Sequence, residues 1–209
     1  LILFAHPRLE TSRANKALLR QIPEHADLFF NDLYEHYPDF NIDVEREKDL
    51  LLQHDIIIWH HPFYWYSAPP IVKQWIDVVL EFRWAYGPGG TALQGKMAFN
   101  AFTSGGAPEA YTLTGHHRFT VRQFLTPFDR TTTLCNMIYL PPFAVQGTHR
   151  LSDEALDAQA KRYGILLNKL LFDDFDVNEL QQLEFLNDIA KPVNQSIWAE
   201  VFYSMLLCI

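Results

Sequence analysis

The amino-acid sequence predicts a doubly wound, parallel α/β domain: a five-stranded sheet in the order 2-1-3-4-5 with helices on both faces. Three observations carry that expectation. Short continuous apolar runs, LILFA at residues 1–5 and DIIIW at 55–59, read as strands covered on both sides. Segments with apolar residues three and four apart alternate with those runs, which is the mark of crossover helices. The length, 209 residues, is that of one domain able to bury a core without covalent staples. Right-handed crossovers leave few topologies for five such strands, and 2-1-3-4-5 is the one that suits this count.

The elements follow in order. After the first strand comes a polar segment holding Pro7, then a helix over residues 12–22 with Ala14, Leu18 and Ile22 on one face and Ser12 as its N-cap. Residues 28–34 read as the second strand, 37–41 as a loop, and 43–54 as a helix. The third strand, 55–59, leads to an aromatic loop at 62–70 whose two prolines suit the first turn of a helix at 71–82. A Gly-rich loop at 86–95 precedes the fourth strand, 96–103, and a long loop at 104–117 follows it. A helix at 119–130, a fifth strand at 136–140 and a helix at 152–171 complete a domain of residues 1–171. Asp153 and Glu154 fall in the first turn of that last helix, where its dipole favours them. Residues 172–209, acidic first (FDDFDVNE) and apolar at the end (VFYSMLLCI), read as an appended helix or two rather than an independent domain.

Charge and composition narrow the function. The net charge is −8, and residues 151–209 carry −6 of it. There is no basic stripe, which makes nucleic acid and anionic membrane poor candidates for partners. Cys135 and Cys208 form neither a disulfide framework nor a zinc pattern, which suits a reducing compartment. No signal-peptide pattern opens the chain and no run approaches the ~20 apolar residues of a membrane helix, so a cytoplasmic location is expected. The chain starts at Leu1 without an initiator Met, directly in a strand-like run, and is expected to lack a few native residues at its front. Aromatic residues reach 14%, enough to serve a flat ligand as well as a core.

In doubly wound sheets, ligands bind beyond the carboxyl ends of the strands, at the switch in strand order. That rule selects the loops after strands one, three and four. The first holds Thr11 and Ser12 at a helix start, where unpaired N–H groups favour a phosphate, with His6 and Arg13 as further donors. It is neither a Walker A loop nor a G-x-G-x-x-G turn, which disfavours ATP and a Rossmann-bound dinucleotide. The second, His60-His61-Pro62-Phe63-Tyr64-Trp65-Tyr66, offers four successive aromatic side chains as a wall for a planar ring, or as a protein interface. Its two histidines are adjacent and point apart, with no carboxylate or Cys at ligand spacing, so a metal is not expected. The third brings Thr103, Ser104, Gly105 and Gly106 to the polar edge of a ring, with Tyr111 and His117 as a proton-handling pair. No G-x-S-x-G elbow surrounds Ser104. A phosphate anchor, an aromatic wall and a polar edge together have the shape of a flavin mononucleotide.

The segments AHP…TSRAN, PFYWYSAPPIVKQWID, WAYGPGGTALQGK and TSGGAPEAY resemble the flavodoxin-like NAD(P)H:quinone oxidoreductases. Together with YPDFNID and LPPFAV they are most similar to the ancillary flavoproteins of glutathione-gated potassium-efflux systems, over about residues 1–170. The resemblance implies a flavodoxin-like fold. It implies an enzyme that passes hydride from NAD(P)H to flavin and on to a quinone or similar acceptor, in two-electron, ping-pong fashion. By position, His6 and Ser12, Arg13, Ala14 and Asn15 match the phosphate-binding turn, and Pro62, Phe63, Tyr64, Trp65 and Tyr66 match the segment lining the ring. Thr103, Ser104, Gly105 and Gly106 match the loop that bonds its pyrimidine edge, and Tyr111 and His117 match the residues that stabilise charge on the reduced ring. FMN is the implied cofactor. FAD is the alternative, because FAD-binding relatives use a C-terminal extension to cover the adenosine end and residues 172–209 have no counterpart in the efflux subgroup. A homodimer with two shared sites is implied as well. The alternative function is a flavin-binding regulatory subunit that docks on a membrane potassium-efflux transporter, peripheral at the inner face of the membrane. A flavodoxin-type electron carrier is a third reading.

Overall fold

The computed structural model describes residues 1–172 and 174–190. Its sheet is parallel throughout, with β2-β1-β3-β4-β5 as the order, and β6 pairs with β4 on the same edge as β5. The expected topology is therefore present, with one strand more than expected.

The strands are β1 (Ile2–Phe4), β2 (Phe30–Asp32), β3 (Ile56–Pro62), β4 (Met97–Thr103), β5 (Ile138–Tyr139) and β6 (Phe143–Val145). Strand residues alternate between two cores, as the period-two geometry of a sheet requires. Leu3, Ile57, Trp59, Ala98 and Phe102 enter the core on one face. Ile2, Phe4, Ile58, Phe99 and Ala101 enter the core on the other. Because both faces are covered, the strands read as unbroken apolar runs in sequence.

Helix α1 (Arg13–Leu19) and the long α7 (Asp153–Leu171) cover one face, and each is capped by the serine before it. Ser12 accepts from the Asn15 N–H, and Ser152 accepts from that of Ala155. The other face carries α2 (Leu33–His36), α3 (Val44–Gln53), α4 (Pro70–Val79), α5 (Val121–Phe124) and α6 (Thr126–Leu134). Glu47 of α3 is fully buried there. Its carboxylate accepts from Asn31, from the Tyr37 hydroxyl and from the Trp75 indole N–H, and it pairs with Arg46. Those bonds tie β2, α3 and α4 together.

Of the boundaries that differ from expectation, four have a plain local reason. The second strand is shorter because Asp32 turns the chain, its carboxylate capping the N–H groups of Tyr34 and Glu35. The helix expected at 119–130 is two helices. A capping box of Thr120 and Gln123 starts the first, and Pro127, which suits only a first turn, starts the second. The expected fifth strand is broken by Pro141 and Pro142, which supply no N–H to a ladder, and resumes as β6 beside the same neighbour. The third strand runs three residues beyond expectation, so His60, His61 and Pro62 belong to the sheet.

Beyond α7 lie α8 (Val177–Gln182) and a 3-10 turn, Leu186–Ala190. Leu180 and Leu186 are buried in the α1/α7 core, so this part of the extension docks on the domain. The apolar end expected to form a further helix, with Cys208, lies outside the described residues. No described helix is long and apolar enough to cross a membrane.

Candidate functional site

The switch point lies between β1 and β3, and the chain leaves β1 there into the turn that starts α1. Asn15, in the first turn of α1, is fully buried and organises what surrounds it. Its Nδ2 donates to Ser12 Oγ at 3.0 Å and to Thr103 Oγ1 at 2.9 Å, linking the loops after β1 and β4. Its Oδ1 must then accept, and it faces His60 Nε2 at 3.2 Å. That assigns the His60 proton to Nε2 and leaves Nδ1 to accept from the Tyr163 hydroxyl of α7, 3.2 Å away. Burial pushes the His60 imidazole down to about 3, so this chain of bonds stays neutral.

His61 points to the opposite face. Its Nε2 accepts from Asn100 at 2.9 Å, its Nδ1 lies 3.0 Å from the Pro62 carbonyl, and burial lowers it to about 4. Both histidines are thus occupied in holding β3 to its neighbours.

A cavity of about 490 Å³ opens at this rim. His6, Ser12, Arg13, Ala14 and Asn15 line it from the first loop. Pro62, Phe63 and Tyr64 line it from the second, and Thr103 and Gly105 from the third. These are ten of the residues the sequence singled out, on one cavity. His6 accepts the Arg8 N–H at Nδ1, so its neutral form carries the proton on Nε2, and burial lowers its pKa. Arg13 contributes differently from expectation. Its guanidinium reaches away to Asp153 at 2.5 Å and to the Leu151 carbonyl at 3.3 Å. Ser104 also differs, donating its hydroxyl to the Gly106 carbonyl at 3.0 Å inside the glycine turn.

A fourth loop, after β6, completes the cavity with Thr148 and His149. Neither was singled out from the sequence. The signal was present in QGTHR, at the carboxyl end of the last strand, where Gly147 takes φ +70°. This loop is stitched to the glycine turn: Gly147 N–H donates to the Gly106 carbonyl, and Thr148 N–H and hydroxyl both donate to that of Ser104. A Cβ on Gly105 would stand 2.6 Å from His149 Nε2, so glycine here lets that exposed imidazole lie against the wall.

Beside the cavity lies an aromatic cluster. Phe63 joins the two, packing against Tyr111 and Phe124 with ring centres 5.8 and 5.9 Å apart. Tyr66 stacks on Phe124 at 4.9 Å. Tyr111 and His117 are in ring contact at 4.5 Å, but the hydrogen-bond partner of His117 Nδ1 is the Tyr66 hydroxyl, at 3.3 Å. Burial raises the Tyr111 phenol, with a bond to Ser104 opposing it in part, so the hydroxyl keeps its proton near neutral pH. Gly106 stands against it, since a Cβ there would be 2.8 Å from the Tyr111 oxygen.

Trp65 does not join the wall. Tyr64 and Ser67 exchange two backbone hydrogen bonds, making a two-residue turn with Trp65 at φ +47° and Tyr66 at φ +65° at its tip. Such turns normally use Asn or Gly. Here the tip holds two bulky rings, and Trp65 is 93% exposed.

Comparison with known proteins places the fold in a family. The family model described as Flavodoxin-like fold matches residues 1–167. The chain is 44% identical over 163 residues to the glutathione-regulated potassium-efflux system ancillary protein KefF of Salmonella newport, covering 78% of this chain and 92% of that one. The crystal structure of general stress protein 14 in complex with FMN from Treponema denticola matches with a TM-score of 0.76 at 35% identity, over 81% of this chain and 97% of that one. An NADPH-quinone reductase from P. pentosaceus matches with a TM-score of 0.71 at 31% identity, over 78% and 94%.

Proposed function

This chain belongs to the flavodoxin-like family, and from that premise we propose that it is a flavin-dependent NAD(P)H:quinone oxidoreductase that holds FMN in the cavity at the β1/β3 switch point. The observation that carries the reading is the convergence of the loops after β1, β3, β4 and β6 on one opening of about 490 Å³, within the range of cofactor sites. The groups present fit such a cofactor. The N–H groups of Arg13 and Ala14 at the start of α1 have no partner within the helix, and the Ser12 hydroxyl, which accepts from Asn15, keeps its own proton to donate, a set suited to a phosphate monoester; the Thr11 hydroxyl beside them donates to the Arg8 carbonyl. Pro62, Phe63 and Tyr64 offer a flat apolar flank, and the Gly105 wall lets backbone approach a ring closely. FAD is the alternative, and residues 172–209 are an extension of the 1–171 domain.

When bound, the flavin supplies hydride exchange between a nicotinamide and a quinone. The chain's own part is to bind, orient and stabilise charge. Backbone N–H groups near Gly105 and Gly106 and the protonated Tyr111 phenol answer negative charge at the ring's polar edge. Tyr66 holds the His117 imidazole in place for the same purpose. The fully exposed Trp65 suits a homodimer in which a second copy roofs the site.

Releasing the cofactor by heat and identifying it tests the binding step. FMN is expected, and purified protein that takes up neither FMN nor FAD would overturn the reading. The double variant Tyr111→Phe, His117→Ala is expected to slow flavin reduction by NAD(P)H at least tenfold with flavin still bound. An unchanged rate removes the pair from the reaction.

The likeness to KefF favours a second, compatible reading: docking on the cytoplasmic part of a potassium-efflux transporter. Pull-down with that part of the transporter tests it, and loss of capture on truncation after residue 190, which leaves the buried Leu180 and Leu186 in place, would assign the docking to the end of the extension.

A further inference from the structure

We propose that Asn187 is a positioning residue for the cofactor cavity: its side-chain amide closes the outer edge of β6 and so fixes the loop at residues 146–149 against the glycine turn. The inference rests on the cofactor reading above and goes beyond it, because Asn187 lies in the extension, far in sequence from every residue that lines the cavity.

Among the described residues, strand β6 pairs with β4 on one side only, through Ala101–Phe143, Phe102–Ala144 and Thr103–Val145. A three-residue edge strand with an open flank holds its register weakly. Here the flank is closed by a side chain. Asn187 Oδ1 accepts from the Ala144 N–H at 2.8 Å, and its Nδ2 donates to the Ala144 carbonyl at 2.9 Å. The amide thus makes the pair of bonds that a neighbouring strand residue would make. The Leu186 N–H adds a third bond, to the Pro142 carbonyl at 2.9 Å. Gln159 of α7 accepts from the same Nδ2 at 3.1 Å, which fixes which end of the amide faces which group of Ala144. Asn187 and Leu186 are buried, 8% and 0% exposed, and Ala144 and Gln159 are half-buried.

Two residues beyond Ala144, the chain enters the loop that carries Thr148 and His149 into the cavity. Val145 accepts from Ser104 N–H, and Gly147 and Thr148 donate back to the glycine turn. A shift of β6 along its edge therefore moves both cavity walls together. The hydrogen bonds of Asn187 go to Ala144 and Gln159, neither of which lines the cavity, so its effect on the cavity runs through Ala144.

Three variants of the full chain test this: Asn187→Ala, Gln159→Ala and Asn168→Ala, the last losing a bond within α7 to the Gly164 carbonyl. In flavin-free protein, hydrogen–deuterium exchange of the peptide spanning residues 143–149 is expected to quicken in Asn187→Ala, less in Gln159→Ala, and not in Asn168→Ala. FMN affinity by fluorescence titration is expected to fall about tenfold, about threefold and not at all, in the same order. A bond that only held the fold together would lower the unfolding midpoint and leave the affinity of the folded protein unchanged. Unaltered exchange in Asn187→Ala overturns the proposal, as does quickened exchange with unaltered affinity. Parent protein that binds no flavin sinks the cofactor reading instead, and the exchange arm still decides whether Asn187 fixes the loop.

Discussion

The start of α1 and the turn at Tyr64–Ser67 face the same site but are built in opposite ways. Asn15 is held by Ser12, Thr103 and His60, and His60 in turn by Tyr163, so four parts of the chain agree on one buried arrangement. The aromatic turn bonds chiefly to itself, through Tyr64 and Ser67, and keeps two non-glycine residues at positive φ. Left-handed backbone costs about 1–2 kcal/mol for such a residue. One region is over-determined by the fold. The other carries strain that the described contacts do not relieve, which is how segments completed by a ligand or a second chain are commonly built. The anchor should therefore resist perturbation of the site and fail with the fold, whereas the turn should do the reverse.

Acid is expected to expose the anchor first. His60 and His61 are held neutral in the folded state, at about 3 and about 4, against an ordinary value near 6.5 in the unfolded chain. Below pH 6.5 the unfolded chain binds protons that the folded one refuses, so stability falls as pH falls. Between pH 7 and pH 5 the loss is about 2 kcal/mol for each imidazole. Urea midpoints across that range measure it, and His60→Gln should remove about half the slope. A flat profile would mean that the buried histidines are not neutral spacers.

Asn15→Ala is the next largest perturbation. It strips partners from His60 Nε2 and from the Thr103 and Ser12 hydroxyls, and a loss of about 3 kcal/mol in urea unfolding is expected. Gly106→Ala comes third. Its Cβ would meet the Tyr111 oxygen at 2.8 Å within a packed aromatic cluster, and overpacking of that kind costs about 1–3 kcal/mol. Gly105→Ala, whose obstacle is the exposed His149 ring, should cost less. Calorimetry of the two variants side by side orders them, and equal midpoints would break the distinction.

The turn should respond with the opposite sign. Trp65→Asn places a residue that tolerates positive φ at the tip, and a gain of up to about 1 kcal/mol in stability is expected. Quinone reduction should fall if Trp65 roofs the site from a second copy. A destabilised variant would show that the exposed ring is holding the fold after all.

The same contrast divides what could be read in advance. Strand order, both-face burial and the Ser12 cap were legible because each depends on local pattern: apolar run length, helical spacing, a hydroxyl before a helix. The two prolines at 141 and 142 were in plain view, yet whether they end a strand or interrupt it depends on the β4 neighbour, which only pairing reveals. Tyr111 and His117 could be named by resemblance, but not that Tyr66 would be the hydrogen-bond partner of that imidazole.

By itself, then, the order of residues determined the class of sheet, the layers on its faces and three of the loops that meet at its rim, because those follow from periodicity and from terminal groups that need partners. Tertiary structure alone decided that Arg13 turns to Asp153, that Trp65 stands in solvent, that Thr148 and His149 join the cavity, and that an amide at position 187 completes the sheet. Those outcomes rest on distances between segments far apart in the chain, and a hydrogen bond acts over about 3 Å whatever the separation in sequence.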